Sequence, residues 1–133
     1  MTKELRIKTN RKIRSFEDIE AWKEGHLLVI EIYKMTKEFP KDELFGLTSQ
    51  MRRCAVSITS NIAEGFSRQS YKEKSQFYSV SLGSVTELQS QLFVAKDISL
   101  ITNEQFKNTY ERTVFVHKFI NGLIKKSKEI HNS

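Results

Sequence analysis

The sequence predicts an all-α protein, an antiparallel up-down-up-down four-helix bundle carrying a basic N-terminal arm. Its 133 residues include one proline and five glycines, too few breakers for a chain of many short strands. Apolar residues recur every three or four positions in four successive segments, the period of helices that bury one face. The connections between segments are short, so consecutive helices must return alongside one another in opposite directions. No fixed-period repeat or low-complexity tract interrupts the series. A chain of this length buries a single core.

Residues 1–14 read as an extended arm. Lys3, Arg6, Lys8, Arg11, Lys12 and Arg14 face Glu4 alone there, a surplus of five that leaves only one for the rest of the net +6. The basicity therefore sits on the arm and the body is nearly balanced. Such an arm either solubilises a terminus or touches phosphate, because clustered cations displace counterions from nucleic acid.

Residues 15–131 form the bundle. Ser15 and Asp18 make a capping box, with Asp in place of the usual Glu or Gln, at the head of a helix over 16–38. Its expected face runs through Ile19, Trp22, His26, Val29, Ile30 and Tyr33, and Phe39-Pro40 stops it. The second helix, 47–64, buries Leu47, Met51, Cys54, Ala55, Ile58 and Ile62, with Gly65 expected as its left-handed stop. Ser70 and Glu73 cap the third, 71–98, whose stripe includes Tyr78, Ser81, Val85, Leu88, Leu92, Ala95 and Ile98. Gly83 in mid-helix costs about 1 kcal/mol against alanine, so a closely approaching neighbour is expected there. Thr102 and Gln105 cap the fourth helix, 103–129. Its stripe passes through Phe106, Tyr110, Val114, His117, Ile120, Leu123 and Ile124.

Several function classes find no support. Cys54 is the sole cysteine, so no internal disulfide forms, and a reducing, cytoplasmic setting is the default expectation. No apolar run approaches the roughly 20 residues of a membrane span, and no signal segment opens the chain. Carboxylate-bridged metal sites in bundles use Glu-x-x-His, a spacing that no Glu here satisfies. His26 and His117 lie on apolar stripes without the further ligands zinc requires. Cys54 occupies a packing position, and no Gly-rich phosphate loop appears. The expectation is a protein without catalytic residues, metal or cofactor.

The second helix nevertheless carries unusual polarity. Arg53, Ser57, Asn61 and Glu64 are spaced by four, four and three and share one stripe, with Gly65 and Arg68 beyond. One reading is a structural and assembly motif, in which a partly buried Glu64 survives by pairing with an arginine and the stripe ties helices or subunits together. The other takes Arg52, Arg53 and Arg68, with Lys8, Arg11, Lys12 and Arg14 of the arm, as ligands for nucleic-acid phosphates. Phe45, Phe66, Phe93 and Phe115 fall off the main stripes, and a homo-oligomer is expected to cover such residues.

A series of motifs in order adds a resemblance. Phe16-Glu-Asp-Ile-Glu-Ala-Trp22, Phe39-Pro40, Gly46-Leu-Thr-Ser-Gln50-Met-Arg-Arg53, Asn61-Ile-Ala-Glu-Gly65 and Leu82-Gly-Ser-Val-Thr-Glu-Leu88 together resemble the 23S rRNA-intervening-sequence protein family, also called four-helix bundle proteins. The resemblance extends from Phe16 to about Ile124. Thr59 stands where the family often has proline, and Cys54 where alanine is common. The resemblance implies an all-α bundle assembled as a ring, a homopentamer, with RNA suggested by members encoded within rRNA genes. A similar fold serves as the accessory variability determinant of diversity-generating retroelements, where a basic pentamer contacts nucleic acid and a protein partner. The function expected on these grounds is non-enzymatic binding of RNA or DNA by a ring. A protein–protein scaffold without nucleic-acid contact is the alternative.

Overall fold

The computed structural model describes residues 12–132, whose body is built from α1 (Glu20–Thr36), α2 (Ser49–Ser67), α3 (Tyr71–Asp97) and α4 (Asn103–Asn132). Each helix packs on its sequence neighbours, and α1 closes the bundle against α4. Pairings such as Thr36 with Arg52 and Gly25 with Thr59 show residue numbers falling along α2 as they rise along α1. Ser84 with Ser57, and Tyr78 with Gly65, repeat this between α2 and α3. Adjacent helices are therefore antiparallel. Leu28 and Ile32, Met51, Ile58 and Ile62, Val85, Leu88 and Leu92, and Val116 and Ile120 meet in the core with no solvent exposure.

The helix ends depart from the sequence pattern in instructive ways. Asp18 does cap, accepting from the Arg14 and Ser15 N–H groups at 2.9 and 3.3 Å, but what it heads is the single 3-10 turn Phe16–Asp18. Ile19 is extended, so α1 begins at Glu20 and not at 16. At its other end α1 stops at Thr36, and tighter bonds from Glu38 N–H to Met35 O and Phe39 N–H to Thr36 O carry the chain to Pro40. The Ser70–Glu73 and Thr102–Gln105 capping boxes form as their spacing implies. Glu73 N–H reaches Ser70 Oγ at 3.1 Å and Gln105 N–H reaches Thr102 Oγ1 at 3.0 Å.

The α3–α4 connection uses a device that the composition hid. Leu100 N–H donates to Ala95 O at 2.8 Å and Ser99 N–H to Lys96 O at 3.0 Å, the paired bonds of a Schellman ending. Ser99 holds the left-handed position, at φ 66°, where glycine is usual. A Cβ there costs roughly 1–2 kcal/mol, partly offset by the greater chain entropy glycine loses on folding. Ser99→Gly is expected to raise stability by about 0.5–1 kcal/mol, seen as a higher urea midpoint with an unchanged slope.

Two glycine roles are corrected. Gly65 does not end α2: the helix runs through it to Ser67, and no glycine among the described residues has positive φ. It is small because α3 lies against it. A Cβ on Gly65 would stand 2.6 Å from Tyr78 Cε1. Gly83, expected at a close contact, faces open space instead, with nothing within 4 Å of where its Cβ would be. The close α2–α3 approach is made by other small residues. Ser81 Oγ donates to Ile58 O at 2.8 Å, Cys54 Sγ to Ser84 O at 3.0 Å, and the Ser57 and Ser84 hydroxyls lie 2.9 Å apart.

Two buried faces are rotated from the expected stripes. On α1 the core side is Ala21, Gly25, Leu28, Ile32 and Met35, and His26, Ile30 and Tyr33 are exposed. On α4 the inner line passes through Thr109, Thr113, Val116 and Ile120, and Val114 is exposed. Buried threonines are tolerated because the helix itself satisfies them. Thr36 Oγ1 donates to Ile32 O at 2.7 Å, and Thr113 Oγ1 donates to Tyr110 O while accepting from Gln89 Nε2 at 3.0 Å. Thr59, donating to Val56 O at 3.1 Å, likewise leaves α2 unbroken.

Candidate functional site

The polar stripe of α2 divides into two separate groups and one unengaged arginine. Ser57 and Asn61 form its middle: Asn61 Nδ2 donates to Ser57 O at 2.8 Å and to Ser57 Oγ at 3.1 Å, and Ser57 meets Ser84 of α3. This is the interhelical fastening that the spacing suggested. Glu64 is exposed and not partly buried. It pairs with Arg68 at 3.1 Å, one turn on, which the uninterrupted helix through Gly65 allows. Arg53 joins neither group. It is exposed, and its side chain makes no hydrogen bond or ion pair among the described residues.

Intramolecular contacts engage the other two helix arginines. Arg52 Nε donates to Thr36 Oγ1 at 2.8 Å, and its guanidinium lies 4.6 Å from the centre of the Tyr33 ring, so it clamps α1 to α2. Arg68 sits 4.7 Å from the Phe77 ring centre and, besides Glu64, approaches Glu73 at 4.0 Å. Arg52 and Arg68 also lie near opposite ends of α2, about 24 Å apart at the helical rise of ~1.5 Å per residue. The arginines therefore do not converge on one phosphate.

Of the arm residues, Lys8 and Arg11 lie outside the described residues. Lys12 and Arg14 are exposed, and their side chains make no ion pair among the described residues. The neighbouring Ile13 lines a cavity shared with Phe66 and Gln69, so residues 12–14 lie at the Arg68 end and away from Arg52 and Arg53.

Catalytic chemistry finds no foothold in the groups first considered. Burial, with a smaller contribution from the Glu87 charge, pushes the Cys54 thiol up to about 12, the opposite of what a thiolate nucleophile needs. His26 is exposed and stacks on Trp22 at 4.8 Å, and His117 Nδ1 is 3.1 Å from Asn121 Nδ2. Among the described residues no three His, Cys, Asp or Glu side chains gather as metal ligands. No described helix is long and apolar enough to cross a membrane.

Tyr78 is likewise pushed up to about 12 by burial, against a smaller opposing effect of its bond to Ser127. Both groups are protonated at neutral pH. In the unfolded chain they ionise near 9.0 and 10.0, whereas the fold holds both protons to about 12. The unfolded state binds fewer protons over that window, so stability falls as pH rises through it. Lys74, whose pKa burial lowers, acts in the opposite direction. The urea midpoint is expected to be lower at about pH 10.5 than at about pH 8, and Tyr78→Phe to weaken that dependence.

Sequence reasoning missed one cation. Lys74, in the first turn of α3, donates to Phe66 O at 2.8 Å and Gly65 O at 3.4 Å, and so closes the carbonyl end of α2. The sequence signal was a lysine one turn past the Ser70 cap, opposite a helix end with no basic residue in its own last turn.

Comparison with known proteins agrees with this architecture. A search of the curated proteins found no match. Among solved structures, the chain is similar to a protein of unknown function from the S23 ribosomal protein family of Bacteroides thetaiotaomicron. The TM-score is 0.73 at 21% identity, over 79% of this chain and 95% of that one. At that identity the likeness speaks for the fold alone. The family model described as 23S rRNA-intervening sequence protein matches residues 17–122, from the capped turn before α1 into the second half of α4. The chain belongs to the 23S rRNA-intervening sequence protein family.

Proposed function

We propose that this protein is a non-enzymatic nucleic-acid-binding adaptor that works in the cytoplasm as a homo-oligomeric ring, a pentamer, and grips RNA or DNA backbone through its basic arms. The observation that carries the reading is the segregation of charge. The arm holds a surplus of five positive charges, whereas Arg52 and Arg68 of the bundle are engaged in internal pairs. Lys12, Arg14 and Arg53 are exposed with side chains that make no ion pair among the described residues. The family's link to rRNA-intervening sequences supports RNA as one ligand. Assembly is supported by apolar side chains left on the outside, among them Leu27 at 52% and Phe115 at 57% exposure. Repeating the arm around a ring would multiply weak contacts by raising their effective concentration.

Two measurements test this. Light scattering is expected to return about five times the 15.6 kDa chain mass. Fluorescence anisotropy with a structured RNA and a DNA duplex is expected to show affinity falling about 10³-fold between roughly 50 and 200 mM salt. Salt-insensitive binding, or none, would remove the nucleic-acid half of the proposal.

A protein–protein scaffold is the second reading, and Phe45 favours it. This ring, at the outside of the α1–α2 connection, is 93% exposed beside Asp42 and Glu43. On that reading a chain lacking residues 1–14 still captures its partner, and Phe45→Ala does not.

A further inference from the structure

The end of the bundle at which residues 12–14 lie contains a cavity of about 270 Å³. Its wall is apolar: Ile19 from the segment before α1, Phe66 from the last turn of α2, Tyr78 from α3 and Leu123 from α4. Tyr78 is fully packed, and Phe66 and Leu123 lean on the core, so the wall is a fixed surface and not a loose seam. At ~30 Å³ for each water-sized unit the volume corresponds to about nine such units, below drug size and close to a short aliphatic chain.

The polar lining is one-sided. Lys74 and Lys126 contribute ammonium groups, Gln69, Tyr71 and Ser127 contribute an amide and hydroxyls, and among the described residues no Asp or Glu lines the cavity. Lys74 directs donors at the Phe66 and Gly65 carbonyls, and an ammonium has three N–H groups, so one donor remains. Lys126 is exposed, and its side chain forms no ion pair or hydrogen bond among the described residues. The chain thus pairs a half-open apolar pocket with a positive rim, in a body whose remaining charge is almost balanced.

We infer that this cavity binds a small amphipathic monoanion, an aliphatic carboxylate of roughly eight carbons, with its chain against Phe66, Tyr78 and Leu123 and its carboxylate at the Lys74–Lys126 rim. The apolar wall selects the chain and the two ammonium groups select the sign of the head. A neutral alcohol would leave the rim without a counter-charge, and an alkylammonium would be repelled by it. Ile13 of the arm also lines the cavity, but the head-group contacts come from Lys74 and Lys126, so octanoate binding is read out independently of nucleic-acid binding.

The test is isothermal titration of the full chain with sodium octanoate, with octanol and octylammonium as comparisons. Saturable binding of one octanoate per chain is expected, weakened about tenfold or more by Lys126→Glu through removal of a charge-assisted hydrogen bond and added repulsion. Leu123→Trp, which fills the cavity, is expected to abolish binding while circular dichroism stays helical. Should that variant fail to fold, Lys126→Glu, a surface change, decides alone. No saturable octanoate binding, equal binding of octylammonium or octanol, or an affinity unmoved by Lys126→Glu overturns the assignment. So does undiminished binding in a folded Leu123→Trp protein.

Discussion

Gly65→Ala is expected to destabilise the fold by about 1–3 kcal/mol, the range for a methyl group forced into a packed interface. The added Cβ would stand 2.6 Å from Tyr78 Cε1, 2.9 Å from Tyr78 Cδ1 and 3.1 Å from Phe77 Cβ. A swing of the Tyr78 ring alone does not relieve the contact, because Phe77 Cβ, fixed to the α3 backbone, also lies 3.1 Å away. The helices must therefore separate, which loosens the Ser57–Ser84 and Ser81–Ile58 bonds further along the same seam. The same substitution at Gly83 is the control. It meets nothing within 4 Å, and in a single chain helix propensity then predicts a gain of about 1 kcal/mol. Urea denaturation of the two variants should move in opposite directions. A neutral Gly65→Ala would mean that α2 and α3 pack less closely than described.

Removing the arm's charge is expected to have the largest effect on binding. In the variant Lys8→Ala/Arg11→Ala/Lys12→Ala/Arg14→Ala, each phosphate left without its cation takes about 0.9 off the slope of log affinity against log salt. The slope should therefore shallow by about 3–4 per engaged arm, and affinity near physiological salt should fall by about 10²-fold or more. The Lys12→Ala and Arg14→Ala changes by themselves should leave stability unchanged, since those side chains make no ion pair among the described residues. Arg53→Ala should weaken binding modestly in the same way. Arg52→Ala, by contrast, should cost stability, because it opens the clamp on Thr36 and Tyr33. If the arm variant binds as the unaltered chain does, the basicity serves solubility and the nucleic-acid reading falls.

Much of the fold was legible in the chain. Four periodic segments, the boxes Ser70–Glu73 and Thr102–Gln105, and the α2 face through Met51, Ala55, Ile58 and Ile62 all appear where their spacing placed them. These are local facts: a cap needs a partner three residues away, and a helix face needs only its own period. The misreadings came from treating apolarity as burial. On α1, His26, Ile30 and Tyr33 look like core, but Gly25 lies against Thr59 and turns Leu28 and Ile32 inward. On α4, Thr109 and Thr113 look like surface, yet they are buried; Thr113's hydroxyl bonds the Tyr110 carbonyl of its own helix. The polar stripe on α2 was recognised as a group, but its members are employed separately.

By itself, then, the sequence determined the all-α class, the number of helices, the capped starts of α3 and α4 and the placement of charge on the arm. These depend on periodicity, caps and composition, which need no partner distant in the chain. Only the tertiary structure decided that Gly65 is a seat for Tyr78 and not a helix stop, and that Gly83 looks outward. It alone decided which arginines are already paired, and that Lys74 and Lys126 stand at one apolar cavity. Each of those outcomes depends on which side of a helix meets its neighbour at ångström separations. That rotation is set by the joint packing of four helices, so no single segment encodes it.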